Sequence, residues 1–215
     1  TMKSAADNAA SRITVELIKG ILNATRREME ALITRTAMSP FIREKKDFFT
    51  AILNPAGELV VSTSLTLAGN LVDAILQQYP ADTMQDGDLF WYNDPYATGG
   101  AVSHLPDMVF VMPVFAENRL VAFIECWGHL WDIGGAVPGS ISPTASSVFQ
   151  EGVMIPPVRV LHSGVRNEEV VRILTRNSRF PDMLEGDLNS LMAACNLGRK
   201  RLEECTALHG ADALE

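Results

Sequence analysis

The chain has 215 residues, of which 47% are apolar and 20% charged, so it can bury a sizeable core as a globular protein. A formal charge of −8, with Lys and Arg residues interleaved with acids, excludes the basic stripe that nucleic-acid binding requires. No apolar segment is as long as a membrane span, and the N-terminal residues have no signal-peptide core. We therefore expect a cytoplasmic protein with neither membrane nor nucleic-acid partners.

A long amphipathic helix is predicted over residues 7–38, and Ser39-Pro40 ends it because the residue before a proline disfavours helical backbone. Its apolar residues recur at helical spacing: Ile13, Leu17, Ile21, Leu22, Met29, Leu32 and Ile33. The next segment, 47–64, alternates apolar and polar residues on both sides of a turn signal at 54–57. This pattern predicts a β-hairpin.

The middle of the chain predicts a short helix over 70–79 and a strand over 88–93, which ends in a turn at Asp94-Pro95. Two apolar runs, 108–115 and 119–126, are separated by three residues and predict a second hairpin. The following stretch, 133–145, is a long loop in which Gly134, Gly135 and Gly139 are expected to make backbone turns. Loops of this length inside a compact domain are usually functional.

The last third, from about residue 167, is predicted to be helical, with one helix over 168–178 and another that starts at Pro181. The second helix carries an apolar stripe of Leu184, Leu188, Leu191, Met192, Cys195 and Leu202. The fold class predicted from these elements is α+β: a mixed sheet with hairpins, flanked by a long N-terminal helix and C-terminal helices. Cys126, Cys195 and Cys205 are odd in number and widely spaced, which favours free thiols in a reducing compartment.

The candidate metal ligands are His104 and Asp107, three residues apart in SHLPD, and His129, which follows in GHLWDIGG. Two imidazoles and a carboxylate suit zinc, manganese or ferrous iron. Pro106 prevents a helical arrangement of the first pair, so these residues are expected in a loop that enters a buried strand, where site residues often lie. The alternative is that each histidine is an ordinary surface or hydrogen-bonded residue.

Other chemistries have weaker support. The glycine-rich run YATGGAVSH lacks the lysine of a phosphate-binding loop, so no cofactor-binding residues are assigned. Ser140, His129 and Asp132 could form a catalytic triad, but no nucleophile elbow is present. Cys126 is a candidate nucleophile or ligand that ends a strand-like run, where a buried apolar role is more common.

Six motifs occur in an order that resembles the hydantoinase B subunit family: REKKDF, NDPYATGG, SHLPD, GHLWDIGG, PGS and QEGVMIPP. This family includes the metal-bearing subunits of ATP-dependent N-methylhydantoinases and caprolactamase, part of 5-oxoprolinase, and subunits of acetone and acetophenone carboxylases. Its members are more than twice as long as this chain. The resemblance implies that residues 1–215 form a single N-terminal, metal-site-bearing domain, either a piece of a longer subunit or a naturally short or processed form.

The resemblance also implies a division of labour. A hydantoinase A-like ATP-binding partner subunit would use ATP to phosphorylate a cyclic amide, and the metal subunit, in a hetero-oligomer with it, would complete hydrolysis. The metal ligands of the family's ketone carboxylases, a His-x-x-Asp pair and a later His, correspond to His104, Asp107 and His129. Asp47, within REKKDF, is then the candidate general base, and Asp132 the candidate residue that orients the site. ATP-dependent ketone carboxylation is the alternative activity, and a non-catalytic assembly subunit is a third.

Two departures from the family pattern are present. Many relatives have a second histidine where this chain has Leu130, and Trp131 replaces a small residue. Relatives also often carry a histidine in the segment after the first hairpin, which here reads STSLTLAGN. Trp131 and Trp127 are candidates for an apolar pocket wall, although buried tryptophans more often belong to the core. Asp132 could equally be a turn residue before the glycines.

Overall fold

A computed structural model describes residues 2–63 and 70–214 of the protein, with side chains described from Arg12 onward. The helices are α1 (Met2–Thr36), α2 (Pro40–Arg43), α3 (Asp73–Gln78), α4 (Glu168–Arg176) and α5 (Pro181–His209). The strands are β1 (Phe48–Leu53), β2 (Leu59–Ser62), β3 (Leu89–Tyr92), β4 (Asp107–Ala116), β5 (Arg119–His129), β6 (Val158–His162) and β7 (Val165–Arg166).

The strands form one seven-stranded sheet in the order β2-β1-β5-β4-β3-β6-β7. The α+β class, the two hairpins and the flanking helices are confirmed. A mixed sheet was expected, but every pairing among the described strands is antiparallel. The reason is that, within the ranges that the structure describes, no helix carries the chain from one strand to a parallel neighbour, a connection that parallel pairing requires.

The central strands β4 and β5 are buried on both faces of the sheet. On β5, Ile124 and Cys126 face the core that α1 and α5 cover, whereas Phe123 and Trp127 face a second core that includes Leu71 and the residues of α3. Alternation of side chains along a strand produces this division. Packing on both faces therefore restricts the movement of the central strands and fixes the positions of their ends.

The two long helices pack on the same face of the sheet. The predicted stripe of α5 is buried throughout, and Gly198 of α5 allows close contact with Met29 of α1 and Ile124 of β5. The apolar pattern of α1 is only partly buried: Leu22, Met29 and Ile33 face the core, whereas Ile13 and Leu17 are exposed. None of the helices in the described ranges is long and apolar enough to cross a membrane.

The main element missing from the sequence prediction is the β6–β7 hairpin. These strands have only five and two residues, and the turn between them uses Ser163 and Gly164 with φ of 48° and 82°. A short apolar run before Ser-Gly was the available signal, but it is too short to distinguish a strand from a loop.

A candidate metal centre at the edge of the sheet

Three adjacent strands, β1, β5 and β4, bring candidate site residues together at one end of the strands. Asp107 begins β4 and His129 ends β5, and the two are direct cross-strand partners. Asp47 immediately precedes β1 on the other side of β5, and its carbonyl accepts a hydrogen bond of 3.1 Å from the backbone N–H of His129. Side chains of directly opposed residues on neighbouring strands lie close together, so the pairing itself brings these groups to one place.

A β-bulge decides which residue faces Asp107. The hairpin pairs Ala116 with Arg119, and continuing that register would place Gly128 opposite Asp107. An irregularity between Val114 and Phe115 shifts the pairing by one residue, so that His129 takes that position. Because a one-residue slip moves a side chain to the other face of a sheet, the bulge is necessary for the site.

Three potential ligand atoms converge there. Asp107 Oδ1 lies 3.2 Å from His104 Nε2 and 3.3 Å from His129 Nδ1, and the two imidazole nitrogens are 3.2 Å apart. Neither approach to Asp107 Oδ1 has hydrogen-bond geometry, and this buried oxygen has no hydrogen-bond partner in the described part of the chain. Asp107 Oδ1 thus keeps an unsatisfied lone pair beside two imidazole nitrogens, which lie within hydrogen-bond distance of each other.

The separations fit a bound divalent cation. Donor atoms about 2.1 Å from a common cation are about 3.0 Å apart at octahedral angles and about 3.4 Å apart at tetrahedral angles. The observed separations of 3.2 to 3.3 Å lie between these values. The donor set and its spacing could therefore hold zinc, manganese or ferrous iron.

Local hydrogen bonds fix the orientation of His104. Its other ring nitrogen, Nδ1, is 3.1 Å from Ser103 Oγ, and a proton on Nδ1 leaves Nε2 free as a ligand. A turn closed by the Asp107 N–H on the His104 carbonyl folds the histidine back over the carboxylate. The Leu105 N–H donates to Glu151 Oε2 at 3.0 Å, which anchors the same turn from a distant loop.

The electrostatics of the trio favour a positive charge. The neighbouring Asp107 raises the pKa of His104 despite partial burial, and the charges of Glu151 and Asp47 act in the same direction. Burial alone would raise the pKa of Asp107, but the imidazoles of His104 and His129 outweigh it and lower that pKa. Three carboxylates thus surround the imidazoles, and a cation would compensate this charge.

The two histidines of the trio line a pocket of about 310 Å³, the size of a small ligand site. Its walls are formed by Phe41, Asp47, His104, Pro106, His129, Ser140, Ile141, Ser142 and Glu151. Asp47 Oδ2 lies 3.7 Å from His129 Nδ1 with 41% of its side chain exposed, so the predicted general base is at the mouth of the pocket. Phe41 and Ile141 make part of the wall apolar.

Phe41 and Glu151 were not singled out from the sequence. The Phe41 ring stacks on His129, with centroids 4.6 Å apart and planes at 21°, and meets Trp131 edge-on at 5.3 Å. Ser39 holds Phe41 in place because its side chain caps α2. Glu151 lies within the motif QEGVMIPP, which was the signal that could have indicated it, whereas the position of Phe41 depends on packing alone.

Asp132 is placed differently from the other predicted site residues. Its buried carboxylate binds Arg179 Nη1 at 2.7 Å and also accepts from the backbone N–H groups of Arg179 and Gly139 and from Ser178. None of its recorded contacts within the described ranges is with the metal trio. The carboxylate therefore ties the long loop after β5 to the start of α5, and its predicted catalytic role stays a prediction.

The long loop relies on its glycines as expected. Gly134, Gly135 and Gly139 have φ of 90°, 83° and 84°, and a Cβ on Gly135 would collide with the carbonyl oxygen of Gln150. Ser140 Oγ donates to the Gly134 carbonyl and accepts from the Ile133 N–H. The hydroxyl is thus occupied by the backbone of its own loop, an arrangement that does not favour a catalytic triad.

The remaining candidates lie in structural positions. Cys126, Cys195 and Cys205 are free and buried as predicted, and Cys126 Sγ is 3.3 Å from Cys195 Sγ between β5 and α5. Trp127 packs in the second core against Phe49. Asp94 makes the predicted turn by accepting from the Tyr96 N–H. Leu130 is fully buried, and most of the segment STSLTLAGN, residues 64–69, lies outside the described residues.

Comparison with known proteins identifies the family. A family model described as Hydantoinase B/oxoprolinase matches residues 11–215. The chain belongs to this family. It is 32% identical to caprolactamase subunit beta of Pseudomonas jessenii, over 95% of this chain and 36% of that protein. It is 32% identical to the 5-oxoprolinase of Dictyostelium discoideum, over 86% of this chain and 15% of that protein.

Two solved structures share the fold. The ATP-dependent caprolactamase from Pseudomonas jessenii matches with a TM-score of 0.83 and 32% identity, over 94% of this chain and 35% of that one. An acetone carboxylase matches with a TM-score of 0.80, over 94% of this chain and 27% of that one, and its 20% identity supports the fold alone. The chain spans about a third of the length of caprolactamase subunit beta.

Proposed function

We propose that this chain is the metal-bearing domain of a subunit of an ATP-dependent cyclic-amide hydrolase. The observation that carries the proposal is the convergence of His104 Nε2, Asp107 Oδ1 and His129 Nδ1 to within 3.2 to 3.3 Å in an open pocket. Its support from relatives is the 32% identity to caprolactamase subunit beta over 95% of the chain. The substrate class is a lactam, a hydantoin or 5-oxoproline.

The chemistry explains why such a site would depend on ATP. An amide carbonyl is a poor electrophile, and phosphorylation of its oxygen converts the amide into an activated imidate that water can attack. We infer that a hydantoinase A-like ATP-binding partner subunit carries out that phosphorylation in a hetero-oligomer. The present domain then receives the activated substrate. We expect the complex to be located in the cytoplasm.

The roles of the residues follow from their positions. His104, Asp107 and His129 would hold a divalent cation, which would supply an activated water at neutral pH and polarise a substrate oxygen. Asp47, exposed at the mouth of the pocket, accepts a proton from the attacking water. Asp132 acts at a distance: with Arg179 it holds the loop that supplies Ser140 and Ile141 to the pocket.

The apolar wall matches a cyclic amide better than a highly polar substrate. Phe41, Pro106 and Ile141 present hydrocarbon surface beside the trio, and the methylene groups of a lactam ring would be desolvated against them. The volume of about 310 Å³ limits the substrate to a small ring. Ring size is therefore expected to affect KM more than the chemical step.

Ketone carboxylation is the second candidate. The chain is 30% identical to the acetophenone carboxylase delta subunit of Aromatoleum aromaticum, over 77% of this chain and 25% of that protein. We prefer hydrolysis because the match to caprolactamase subunit beta extends over 95% of the chain. A non-catalytic assembly role is the third candidate. It would be favoured if the chain bound a metal but removal of that metal left turnover unchanged.

The test uses the complex reconstituted with its ATP-binding partner. Phosphate release from ATP is measured with a panel of lactams and hydantoins and, separately, with ketones plus labelled bicarbonate. We expect cyclic amides to stimulate phosphate release and to yield the ring-opened amino acid. Label recovered in a β-keto acid, without ring opening of any amide, would refute hydrolysis and select carboxylation.

A matched pair of variants separates catalysis from assembly. His104→Ala removes a proposed ligand, whereas His162→Ala removes a histidine at the far end of β6 that lies outside the pocket. We expect only the first to abolish turnover while the complex still assembles. Full turnover by a His104→Ala complex that has lost its metal would contradict the proposed role of the metal.

A further inference from the structure

A basic groove adjoins the metal pocket, and the proposed reaction has no role for it so far. The groove has a volume of about 890 Å³ and lies between α1 and the turn that leads into β1. Four of its lining residues are cations: Arg27, Arg35, Lys45 and Lys46. The chain as a whole has a formal charge of −8, so a groove lined by four cations differs in sign from the net charge of the protein.

The two arginines lie on one stripe of α1. Arg27, Ala31 and Arg35 are spaced by four residues, so they lie on the same face of the helix, and the small Ala31 leaves room between the two longer side chains. Both arginines are exposed, and neither has a hydrogen-bond or ion-pair partner recorded within residues 12–63 and 70–214. Their guanidinium groups are available to a ligand.

The lysines form the opposite wall. Lys46 has a φ of 59°, uncommon for a residue with a side chain, and its ammonium reaches across to Thr34 Oγ1 of α1 at 3.0 Å. Lys45 Nζ lies 4.4 Å from the centre of the Phe41 ring. The backbone conformation before Asp47 thus keeps one ammonium group spanning the groove.

The acidic residues of the groove do not cancel these charges. Glu30 binds Arg26 at 2.6 Å and accepts a hydrogen bond from Thr50, so its charge is already compensated from the other side. Asp47 is shared with the metal pocket, where it faces His129. A surplus of positive charge remains, in a shape that surrounds an anion on two sides.

The groove adjoins the pocket of the metal centre. Asp47 lines both concavities. Lys45 lies against the Phe41 ring, which in turn stacks on the His129 ring, so one row of side chains runs from the groove to a proposed metal ligand. An anionic group bound in the groove would therefore lie beside the substrate rather than at a remote surface.

We propose that the groove formed by Arg27, Arg35, Lys45 and Lys46 binds a phosphate group, carried by the activated substrate or released from it. Planar guanidinium groups and ammonium groups are the side chains that bind phosphate oxygens most strongly. The link to a phosphorylated substrate rests on the proposed function, whereas the binding of phosphate itself rests on the groove alone. The volume exceeds that of a phosphate ion, so an organic phosphate also fits.

The test is calorimetric titration of the full-length protein with inorganic phosphate, after treatment with a chelator so that no metal can bind the anion. The Arg27→Gln/Arg35→Gln double variant is compared with Arg172→Gln/Arg176→Gln. The second pair makes the same change of charge on α4, in a groove of about 850 Å³ elsewhere on the surface. We expect the first pair to weaken phosphate binding at least tenfold and the second to leave it unchanged.

Two further arms make the result decisive. A Lys45→Gln variant tests the opposite wall, and phenyl phosphate replaces inorganic phosphate to distinguish an organic phosphate from the free ion. Tighter binding of phenyl phosphate assigns the groove to the activated substrate, and tighter binding of inorganic phosphate assigns it to the product. Equal phosphate binding by wild type and the Arg27→Gln/Arg35→Gln variant, or an equal loss in the α4 control, would overturn the proposal.

The outcome is independent of turnover. A His104→Ala variant titrated in parallel is expected to bind phosphate as the wild type does, because the groove does not include His104. Loss of phosphate binding in His104→Ala, with retention in the groove variant, would place the anion at the metal centre and contradict the proposal. Failure of the hydrolase assay would not alter either result.

Discussion

Asp107 at the start of β4 and Asp132 shortly after β5 are two carboxylates at the same end of one hairpin, yet their surroundings differ in one decisive respect. Asp132 receives an arginine, a serine hydroxyl and two backbone N–H groups, so its charge is compensated within the fold. Asp107 faces two imidazoles and leaves Oδ1 without a hydrogen bond among the described residues. The hydrogen bonds of Asp132 are complete and those of Asp107 are not, and this contrast supports the proposal that Asp107 binds a ligand.

The largest expected effect comes from breaking the incomplete site. His129→Ala should reduce turnover of the reconstituted complex by about a thousandfold or more, since a metal centre that has lost one of its few ligands loses both affinity and geometry. Because His129 is almost fully buried, folding is checked by circular dichroism. His129→Gln, which keeps most of the volume, should lose activity to a similar extent, and an active glutamine variant would contradict the assignment.

Glu125 sharpens the comparison because it is a buried carboxyl group with no compensating charge among the residues that the structure describes. Burial raises its pKa from 4.5 to about 8. The folded protein therefore keeps this proton up to about pH 8, whereas the unfolded chain releases it near pH 4.5, so wild type loses stability as pH rises through that window. The loss is about 1.4 kcal/mol per pH unit, on the order of 5 kcal/mol in all.

Glu125→Gln should remove this loss. Its free energy of unfolding is expected to match that of wild type near pH 4.5 and to exceed it increasingly toward pH 8, as measured by urea denaturation at a series of pH values. A variant whose advantage is the same at every pH would show that Glu125 does not retain its proton on folding.

Asp132→Asn should lower the free energy of unfolding at neutral pH, the opposite of the effect expected for Glu125→Gln. Although burial alone would raise the pKa of Asp132, the backbone and side chain of Arg179 outweigh it and lower that pKa. The ionised carboxylate then stabilises the fold above its unfolded pKa, and this stability is lost as pH falls through the lower folded pKa. At neutral pH the variant should lose about 2 kcal/mol, less than a fully buried pair because Arg179 is partly exposed.

The same loop gives a further test of the pair. Arg179→Gln should destabilise the protein by a similar amount, and the double variant should lose less than the sum, since both residues belong to one network. Additive losses would show that the two side chains do not act together. Turnover should fall modestly in each, because the loop that lines the pocket loosens.

The smallest expected difference is that between two glycine variants, one at Gly135 and one at Gly164. Gly135→Ala introduces a Cβ at φ 83° that collides with the Gln150 carbonyl, whereas Gly164→Ala introduces one at φ 82° with nothing within 4 Å. Both variants carry the cost of a left-handed backbone, about 1 kcal/mol, and only the first adds the clash. Thermal unfolding should show Gly135→Ala as the less stable by about 1 to 2 kcal/mol. Equal stability would show that the loop can shift away.

Much of the fold could be predicted because its signals are local. The spacing of apolar residues indicated α5, and turn residues indicated both hairpins. The register could not be predicted, since the bulge near Val114 depends on packing across the sheet, and it is this bulge that brings His129 rather than Gly128 opposite Asp107. The motifs indicated the candidate ligands without explaining how they meet.

Partners distant in the sequence were also beyond prediction. Asp132 looked equally suited to a turn or to the site, and only the fold reveals that Arg179 lies beside it. Phe41 precedes the β4–β5 hairpin in the sequence and Glu151 follows it, yet both line the pocket. Tertiary packing decides such contacts, and no spacing rule contains them.

The central claim is that the trio holds a divalent cation, and a crystal structure with anomalous scattering data tests it most directly. The protein is crystallised after dialysis against manganese or zinc. We predict one strong anomalous peak at about 2.0 to 2.2 Å from His104 Nε2, Asp107 Oδ1 and His129 Nδ1. A peak elsewhere, or none at this position at saturating metal, would contradict the account.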